Sequence, residues 1–252
     1  MGKTIDNLYI EAYYRENLAV INLKSEVFSF ITKLDESQVM MDFIREAEHD
    51  HDVKGLLILN EPGCLGEKAY DDFIRSILGN IDPDDEKEVP TFQQKNTRFR
   101  QINILNRFLR YLAGYHKMVF SGINSVIVTP FMGVTLVADI RLASPKGAFS
   151  LAHRKYGLHP TGAIPFFLTH YLGHSKGLEI QLSDRVTAEE AFRLGLINQI
   201  LPDDDFNRNC IRYIQGCLNN YRSTLTMTKR LNNFKNRWLQ EYIDHEASLM
   251  NL

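Results

Sequence analysis

An apolar run rich in β-branched residues, at positions 118–128, constrains the fold more than any other stretch of this chain. Such a run is typical of a strand that is buried on both faces, as the strands of parallel sheets are. A tight turn at residues 129–133 follows, and then an apolar segment that is closed by Asp139. The sequence therefore predicts an α/β fold in which a buried strand enters this turn.

The composition excludes several classes of protein. Of the 252 residues, 44% are hydrophobic and 24% are charged, which is ordinary for a globular protein. A formal net charge of −2 argues against general nucleic-acid binding, and no apolar run is long enough to span a membrane. The N-terminus lacks the basic start and apolar core of a secretory signal. We therefore expect a cytoplasmic protein that binds neither nucleic acid nor membrane.

The cysteines and histidines do not predict a metal site. Cys64, Cys210 and Cys217 lack metal-ligand spacing with histidines, and their odd number fits free thiols in a reducing compartment. Two histidines alternate with aspartates at residues 49–52, but the other ligands are missing, so a solvated loop is the better interpretation. We expect no bound metal.

The rest of the pattern predicts strands that alternate with helices. Residues 8–14 and 18–23 are typical of a hairpin, and residues 55–59 of a buried strand that follows a helix at 35–48. This order favours a parallel or mixed sheet. Further helices are predicted at residues 91–116, with Arg98 and other basic residues on a solvated face, and at 166–172, 175–182, 203–217 and 225–249.

Two shorter signals concern loops and helix ends. Thr187 precedes Glu190 by three residues, which predicts a capping box at the start of a helix, and Gly195 is predicted to end that helix. The acidic stretch at residues 82–90 is predicted to be a surface loop rather than an acidic site.

Several residues from Lys117 onward keep the spacing of a known family. These are Lys117, Asp139, Ala143, Phe149, Gly157, Pro160, Ala188, Glu189, Glu190, Ala191, Gly195 and Leu196. On these residues the chain resembles the crotonase (enoyl-CoA hydratase/isomerase) superfamily. The resemblance implies a crotonase-like ββα spiral core over residues 1–202 and a C-terminal helical region at 203–252.

The resemblance also implies a ligand and an assembly. The expected ligand is an acyl thioester, either acyl-CoA or an acyl group on the phosphopantetheine arm of an acyl carrier protein, which would then be a partner. Coenzyme A or phosphopantetheine would be part of the substrate, so no tightly bound cofactor is expected. A homotrimer, or a hexamer built from two trimers, is implied. Lys229 matches a lysine that approaches the CoA phosphates, although a solvated helix face is an equally good interpretation.

The family stabilises an enolate oxygen with backbone N–H groups, one of them in a glycine turn at a helix N-terminus. Aligned on Asp139, that turn corresponds to Thr129, Pro130 and Phe131, and the usual donor position is Pro130. Proline has no N–H and cannot donate. We expect Pro130, Phe131, Met132 and Gly133 to line a narrowed acyl pocket. The second donor would come from the loop at residues 60–66, where the family signature is absent.

The positions of the two family glutamates also differ. The resemblance places them at Gly133 and His153, so ordinary enoyl-CoA hydration is not expected. A neutral imidazole at His153 could act as a general base, with His159 in the same pocket, or His153 could simply fill the vacated position. Thr161 and Gly162, in the loop that follows, are candidate contacts to the acyl group, although stabilisation of the turn is an alternative for Thr161.

Two functions follow from these departures. In the first, the chain is an enzyme of altered chemistry, an isomerase, decarboxylase or hydrolase that uses His153 on an acyl thioester. In the second, it is a catalytically degenerate paralogue that binds acyl-CoA or serves in assembly. Pro130 separates the two, because an enzyme must replace the missing donor and a binding protein need not.

Overall fold

The computed structural model of the protein describes residues 4–78 and 92–249, so the predicted acidic loop at 82–90 lies outside the described residues. Helices and strands alternate along the chain as the sequence predicts. The strands are β1 (Ile5–Asp6), β2 (Ile10–Arg15), β3 (Leu18–Leu23), β4 (Gly55–Asn60), β5 (Met118–Ile123), β6 (Val126–Val128), β7 (Ile140–Ala143), β8 (Ala148–Ser150), β9 (Arg185–Thr187) and β10 (Gln199–Ile200). The helices are α1 (Val27–Phe30), α2 (Leu34–His49), α3 (Glu67–Leu78), α4 (Lys95–Gly114), α5 (Phe131–Leu136), α6 (Ile164–Leu172), α7 (His174–Gln181), α8 (Ala188–Arg193), α9 (Phe206–Leu218), α10 (Arg222–Asn232) and α11 (Leu239–Ser248), with two 3₁₀ turns at Ala152–Tyr156 and Asn233–Trp238.

A mixed sheet forms the centre of the fold. Within the described residues its strand order is β1-β2-β3-β4-β5-β7-β10. The hairpin of β2 and β3 is antiparallel, whereas β3, β4, β5, β7 and β10 pair in parallel. This confirms the α/β class and the mixed sheet, because parallel neighbours need helical crossovers between them.

The predicted strand at residues 118–128 is in fact two strands in different sheets. β5 lies in the central sheet, whereas β6 pairs with β8 in a second sheet of order β6-β8-β9. The strand is interrupted at Asn124 and Ser125, whose side chains bond to the end of β4 and to the loop that follows it. The Asn124 amide donates to the Asn60 carbonyl at 2.7 Å, and Ser125 Oγ accepts from the Gly63 N–H at 3.2 Å. After this interruption β6 lies in the second sheet and leads into the turn at residues 129–133.

Alternation along the strands fills both faces of the central sheet. Leu18, Val20, Leu57, Leu59, Phe120 and Leu142 face α9, whereas the residues between them face the larger core under the remaining helices. The C-terminal helical region therefore shares a core with the sheet through α9. The boundary at residue 202 stays a prediction. Among the described helices, none has the length and apolar character needed to cross a membrane.

Candidate active site

The turn that follows β6 carries the residues at which the sequence places the oxyanion site. β6 ends at Val128, Pro130 caps α5, and α5 starts at Phe131. The loop after β4 reaches this turn, because the Leu65 carbonyl accepts from the Val128 N–H at 2.9 Å. The two segments from which the family draws its oxyanion donors therefore meet here, although Pro130 contributes no N–H.

The space beside the turn is filled by side chains. Phe131 is buried and contacts Phe28 of α1 edge to face, with 5.3 Å between ring centroids, and Phe28 also contacts Tyr70 of α3. The cavity between Leu65, Phe131 and Val134 has a volume of about 10 Å³. A cavity of that size holds one water molecule at most. Met132 is fully buried and belongs to the core.

Gly133 lies where no side chain fits. A Cβ atom on Gly133 would be 1.8 Å from the carbonyl oxygen of Gly162. Gly162 has a φ of +84°, and a Cβ atom on it would be 2.6 Å from the Pro130 carbonyl oxygen. The loop that contains Gly162 is thus in direct contact with the first turn of α5. The structure brings together Pro130, Gly133 and Gly162 in a closed contact of backbone on backbone. Their predicted contact with an acyl group stays a prediction.

His153 is buried beside the same turn. Only 3% of its surface is exposed, and its Nδ1 lies 3.2 Å from Thr129 Oγ1. Burial, followed by the positive charges of Arg154 and His159, lowers the pKa of His153 to about 4. The imidazole is therefore neutral near pH 7, as a general base must be. His159 is exposed rather than enclosed with His153, and Thr161 is buried.

A buried arginine lies beside this cluster and was not expected there. Arg98 of α4, predicted on a solvated face, is 3% exposed and donates to Gln101 Oε1 at 2.6 Å. In the described part of the chain no carboxylate forms an ion pair with it. Burial lowers the pKa of Arg98 and raises that of the neighbouring Tyr70 phenol to about 12. The stripe of apolar residues around Arg98 was the available sign that it faces inward.

Glu246 of α11 also reaches this region. Its carboxylate accepts from the N–H of Gly162 at 2.9 Å and from the N–H of Ala163 at 3.0 Å. Burial raises the pKa of Glu246 to about 7, against the opposing influence of these two N–H groups and of Arg98. No sequence pattern marks this residue, because one glutamate in an amphipathic helix near the C-terminus has no local signal.

Lys229 does not present its charge to a ligand. Its side chain is buried, and Nζ lies 2.8 Å from Asp139 Oδ2 and donates to the Lys117 carbonyl at 2.7 Å. Asp139 also accepts from the Val119 N–H at 2.7 Å. The predicted contact between Lys229 and CoA phosphates is not compatible with this placement, because a buried, paired ammonium is not free to reach a phosphate.

Among the described residues, a cleft lies between α1 and α3, and Phe28, which contacts Phe131, is one of the residues that line it. Its volume is about 370 Å³. Phe28 and Phe73 stack on its apolar side, with ring centroids 5.6 Å apart. Its other lining residues are mostly hydroxyl-bearing or acidic: Ser25, Glu26, Ser29, Thr32, Ala69, Asp72, Ser76 and Thr97.

The mixed sheet, the crossover order and the paired segments at the turn define a crotonase-type fold. The family model for enoyl-CoA hydratase/isomerase matches residues 91–251, and the chain belongs to this family. The chain is similar to the "Probable enoyl-CoA hydratase echA12" of Mycobacterium leprae, at 24% identity over 90% of this chain and 75% of that protein. It is 29% identical to the Mycobacterium bovis protein of the same name, over 66% of this chain and 64% of that protein. The crystal structure of an enoyl-CoA hydratase from Bacillus halodurans shares the fold, with a TM-score of 0.72 at 18% identity over 95% of this chain and 92% of that one.

Proposed function

We propose that this protein binds an acyl thioester and does not hydrate enoyl-CoA substrates. One observation carries the proposal: the Gly162 carbonyl occupies the place that a side chain on Gly133 would need. Gly133 is the position at which the resemblance places the first family glutamate. A hydratase needs two carboxylates to deprotonate water and to protonate carbon. The backbone contact at Gly133 means that restoring one of them would require the loop to move.

The oxyanion position supports the same proposal. Pro130 cannot donate, and the loss of one such donor typically costs a rate factor of about 10²–10³. The cavity of about 10 Å³ beside Phe131 leaves no room for a thioester carbonyl. A thioester seated through Pro130 in a crystal of the complex would contradict this part of the proposal.

The cleft between α1 and α3 is the place where we propose that the thioester arm binds. A pantetheine arm is neutral and carries two amides, which the hydroxyl groups of Ser25, Ser29 and Thr32 can bond. The rings of Phe28 and Phe73 offer an apolar surface to its methyl groups. Glu26 would repel phosphates, and Asp72 is already paired with Lys68 at 2.6 Å, so we place the phosphate end outside the cleft. This holds equally for free CoA and for the arm of an acyl carrier protein.

Calorimetric titration with acetyl-CoA, crotonyl-CoA and free CoA tests the proposal when hydration of the same crotonyl-CoA is followed spectroscopically. Binding without hydration is the expected result, and rapid hydration would contradict it. Ser76→Trp, which fills the cleft, should abolish binding. Arg75→Trp, at the next position of α3 but not lining the cleft, is the matched control. No binding of any thioester would favour a role in assembly.

A second function, thioester hydrolysis, is favoured by the contact between His153 and Thr129. A neutral imidazole 3.2 Å from a hydroxyl has the spacing of a base and a nucleophile. This candidate reaction needs the turn at residues 129–133 to open. Thr129 Oγ1 then attacks the thioester carbonyl while His153 takes its proton and passes it to the departing sulfur, so that CoA leaves as the thiol. Water hydrolyses the resulting ester, which releases the carboxylic acid and restores the Thr129 hydroxyl. Release of thiol from acyl-CoA, lost in Thr129→Val and His153→Ala, would support it. The same His153→Ala protein should be assayed on isomerisation and decarboxylation substrates.

We also propose that the protein is a trimer, or a hexamer of two trimers. Apolar side chains lie exposed along one face of α10 and the 3₁₀ turn after it, at Met227, Leu231, Phe234 and Trp238. Their spacing puts them on one side of a helix, and exposed patches of this kind mark contacts between proteins. Light scattering should give a trimer or hexamer mass for the wild type and a monomer mass for Leu231→Glu.

A further inference from the structure

The contact between Glu246 and the loop at Gly162 and Ala163 is more than a local hydrogen bond. One carboxylate bonds two successive backbone N–H groups, through Oε1 and Oε2, at 2.9 Å and 3.0 Å. Glu246 itself is 3% exposed. Burial of a carboxylate costs free energy, and the bond that each oxygen accepts from a backbone N–H offsets part of that cost.

The loop at this point has a conformation that needs support. Gly162 and Ala163 both have left-handed backbone angles, with φ of +84° and +57°. The angle costs glycine little, but it costs an alanine about 1–2 kcal/mol relative to the usual region. Ala163 also caps α6, so the two N–H groups lie at the positive end of a helix. The carboxylate of Glu246 stabilises both features at once.

The same loop closes the turn at the proposed site. The N–H of Gly162 is held by Glu246, and the carbonyl of Gly162 is the atom that excludes a Cβ from Gly133. The backbone of Gly162 also contacts Pro130. α11 is therefore linked to the first turn of α5 through a single residue.

We infer that α11 is an autoinhibitory strap, fastened by Glu246, that holds the loop at residues 161–163 closed against the turn at Pro130 and Gly133. The group that accepts hydrogen bonds from these two N–H groups is a carboxylate of the same chain. When it is released, the loop is free to move off α5, and the space around His153 opens. The inference rests on the proposed function only in that the opened space is where the candidate hydrolysis needs the thioester carbonyl, beside Thr129 and His153.

The remaining contacts of α11 allow such a release. Leu239 and Ile243 anchor the helix in the core, and Tyr242 packs on Phe166 of α6 with ring centroids 5.6 Å apart. Among the groups that face Glu246, the buried charge is Arg98 of α4, which forms no ion pair with it within 4.0 Å. The strap is thus fastened to the loop by the two N–H bonds, and the apolar anchors keep α11 attached when those bonds are lost.

Glu246→Gln tests the inference, because an amide has one acceptor oxygen for two N–H groups. Asp244→Asn is the matched control, since Asp244 lies on the same helix and pairs with Arg110 at the surface. Two readouts need no ligand: amide hydrogen exchange of residues 158–164, and reaction of His153 with diethyl pyrocarbonate followed by mass spectrometry. If Glu246→Gln does not fold, Glu246→Asp, which keeps the charge but shortens the reach, replaces it.

The expected result is that Gly162 and Ala163 exchange about tenfold faster or more in Glu246→Gln, with faster labelling of His153, and that Asp244→Asn matches the wild type. Unchanged exchange in a folded Glu246→Gln protein would overturn the inference, and so would an equal increase in Asp244→Asn. Titration with acetyl-CoA then separates the two proposals. Tighter binding by Glu246→Gln supports both, whereas faster exchange with no binding by either protein supports the strap and contradicts thioester binding.

Discussion

The residues at the two ends of α5 differ in how closely they match the family pattern and in what they contact. After its C-terminal end, Asp139 keeps its place in the family pattern and is bonded to the Val119 N–H and to Lys229 in a buried ion pair. At its N-terminal end, where the resemblance predicts a departure from the pattern, Gly162 lies against Pro130 and Gly133. The residues that match the family therefore hold the fold, and those that depart from it lie where the family places its chemistry. Retention of a fold does not imply retention of a reaction.

The largest expected effect on stability is at the C-terminal end of α5, where Asp139 matches the family pattern. Lys229→Met removes one partner of the buried pair and leaves Asp139 without its counter-ion, which should destabilise the protein by about 3–5 kcal/mol. Denaturant unfolding measures the change. Lys146→Met is the control, because Lys146 pairs with Asp203 at the surface and should have no measurable effect. Equal small losses in both variants would show that the C-terminal end of α5 is not specially stabilised.

The N-terminal end of α5 is tested by Gly133→Ala, which adds only a Cβ atom. We expect a loss of about 3 kcal/mol, since the Gly162 carbonyl oxygen lies 1.8 Å from that atom and is part of the backbone. Gly216→Ala in α9 is the control, because nothing lies within 4 Å of a Cβ there, and it should stabilise by about 0.5–1 kcal/mol. A neutral Gly133→Ala would mean that the loop is readily displaced.

Glu246 should make stability depend on pH. Its pKa in the folded protein is about 7, above the ordinary value, so the unfolded chain loses this proton first as pH rises. Stability is therefore full below about pH 4.5 and falls between there and pH 7, by about 3 kcal/mol. The groups that face it are Arg98 of α4 and Tyr242 of its own helix. His153 contributes an opposite slope in part of this range, so the fall is measured as the wild-type profile minus that of Glu246→Gln, and identical profiles would contradict the assignment.

His153 should give the opposite slope. Its pKa in the folded protein is about 4, below the ordinary value, so its contribution is present above about pH 6.5 and is lost as the pH falls towards 4, by up to about 3 kcal/mol. Nuclear magnetic resonance of the imidazole measures this directly. The ring should stay neutral at pH 5.5, where an exposed histidine is protonated. A protonated His153 at that pH would show that the turn is open to water.

Local pattern predicted the elements around the site better than the site itself. The hairpin, the parallel strands and the helix that ends at Gly195 follow from alternation, apolar period and capping, which are properties of neighbouring residues. The break between β5 and β6 was missed, although the polar pair Asn124 and Ser125 marked it. The contacts of Gly133 with Gly162, and of Glu246 with Ala163, join residues distant in sequence. No local rule places such pairs side by side.

Thr187 gives the smallest expected effect and tests the part of the chain that sequence described best. Its Oγ1 accepts from the Glu190 N–H at 3.2 Å at the start of α8. Thr187→Ala should cost about 1 kcal/mol of stability, the usual worth of a helix N-cap. Thr228→Ala is the control, because Thr228 lies exposed within α10 and makes no side-chain hydrogen bond among the described residues. Since α8 packs on β8, β9 and β10, neither variant should change thioester binding or His153 labelling. If Thr187→Ala changed either, the family-matching residues would also support the site, and the contrast between the two ends of α5 would lose its force.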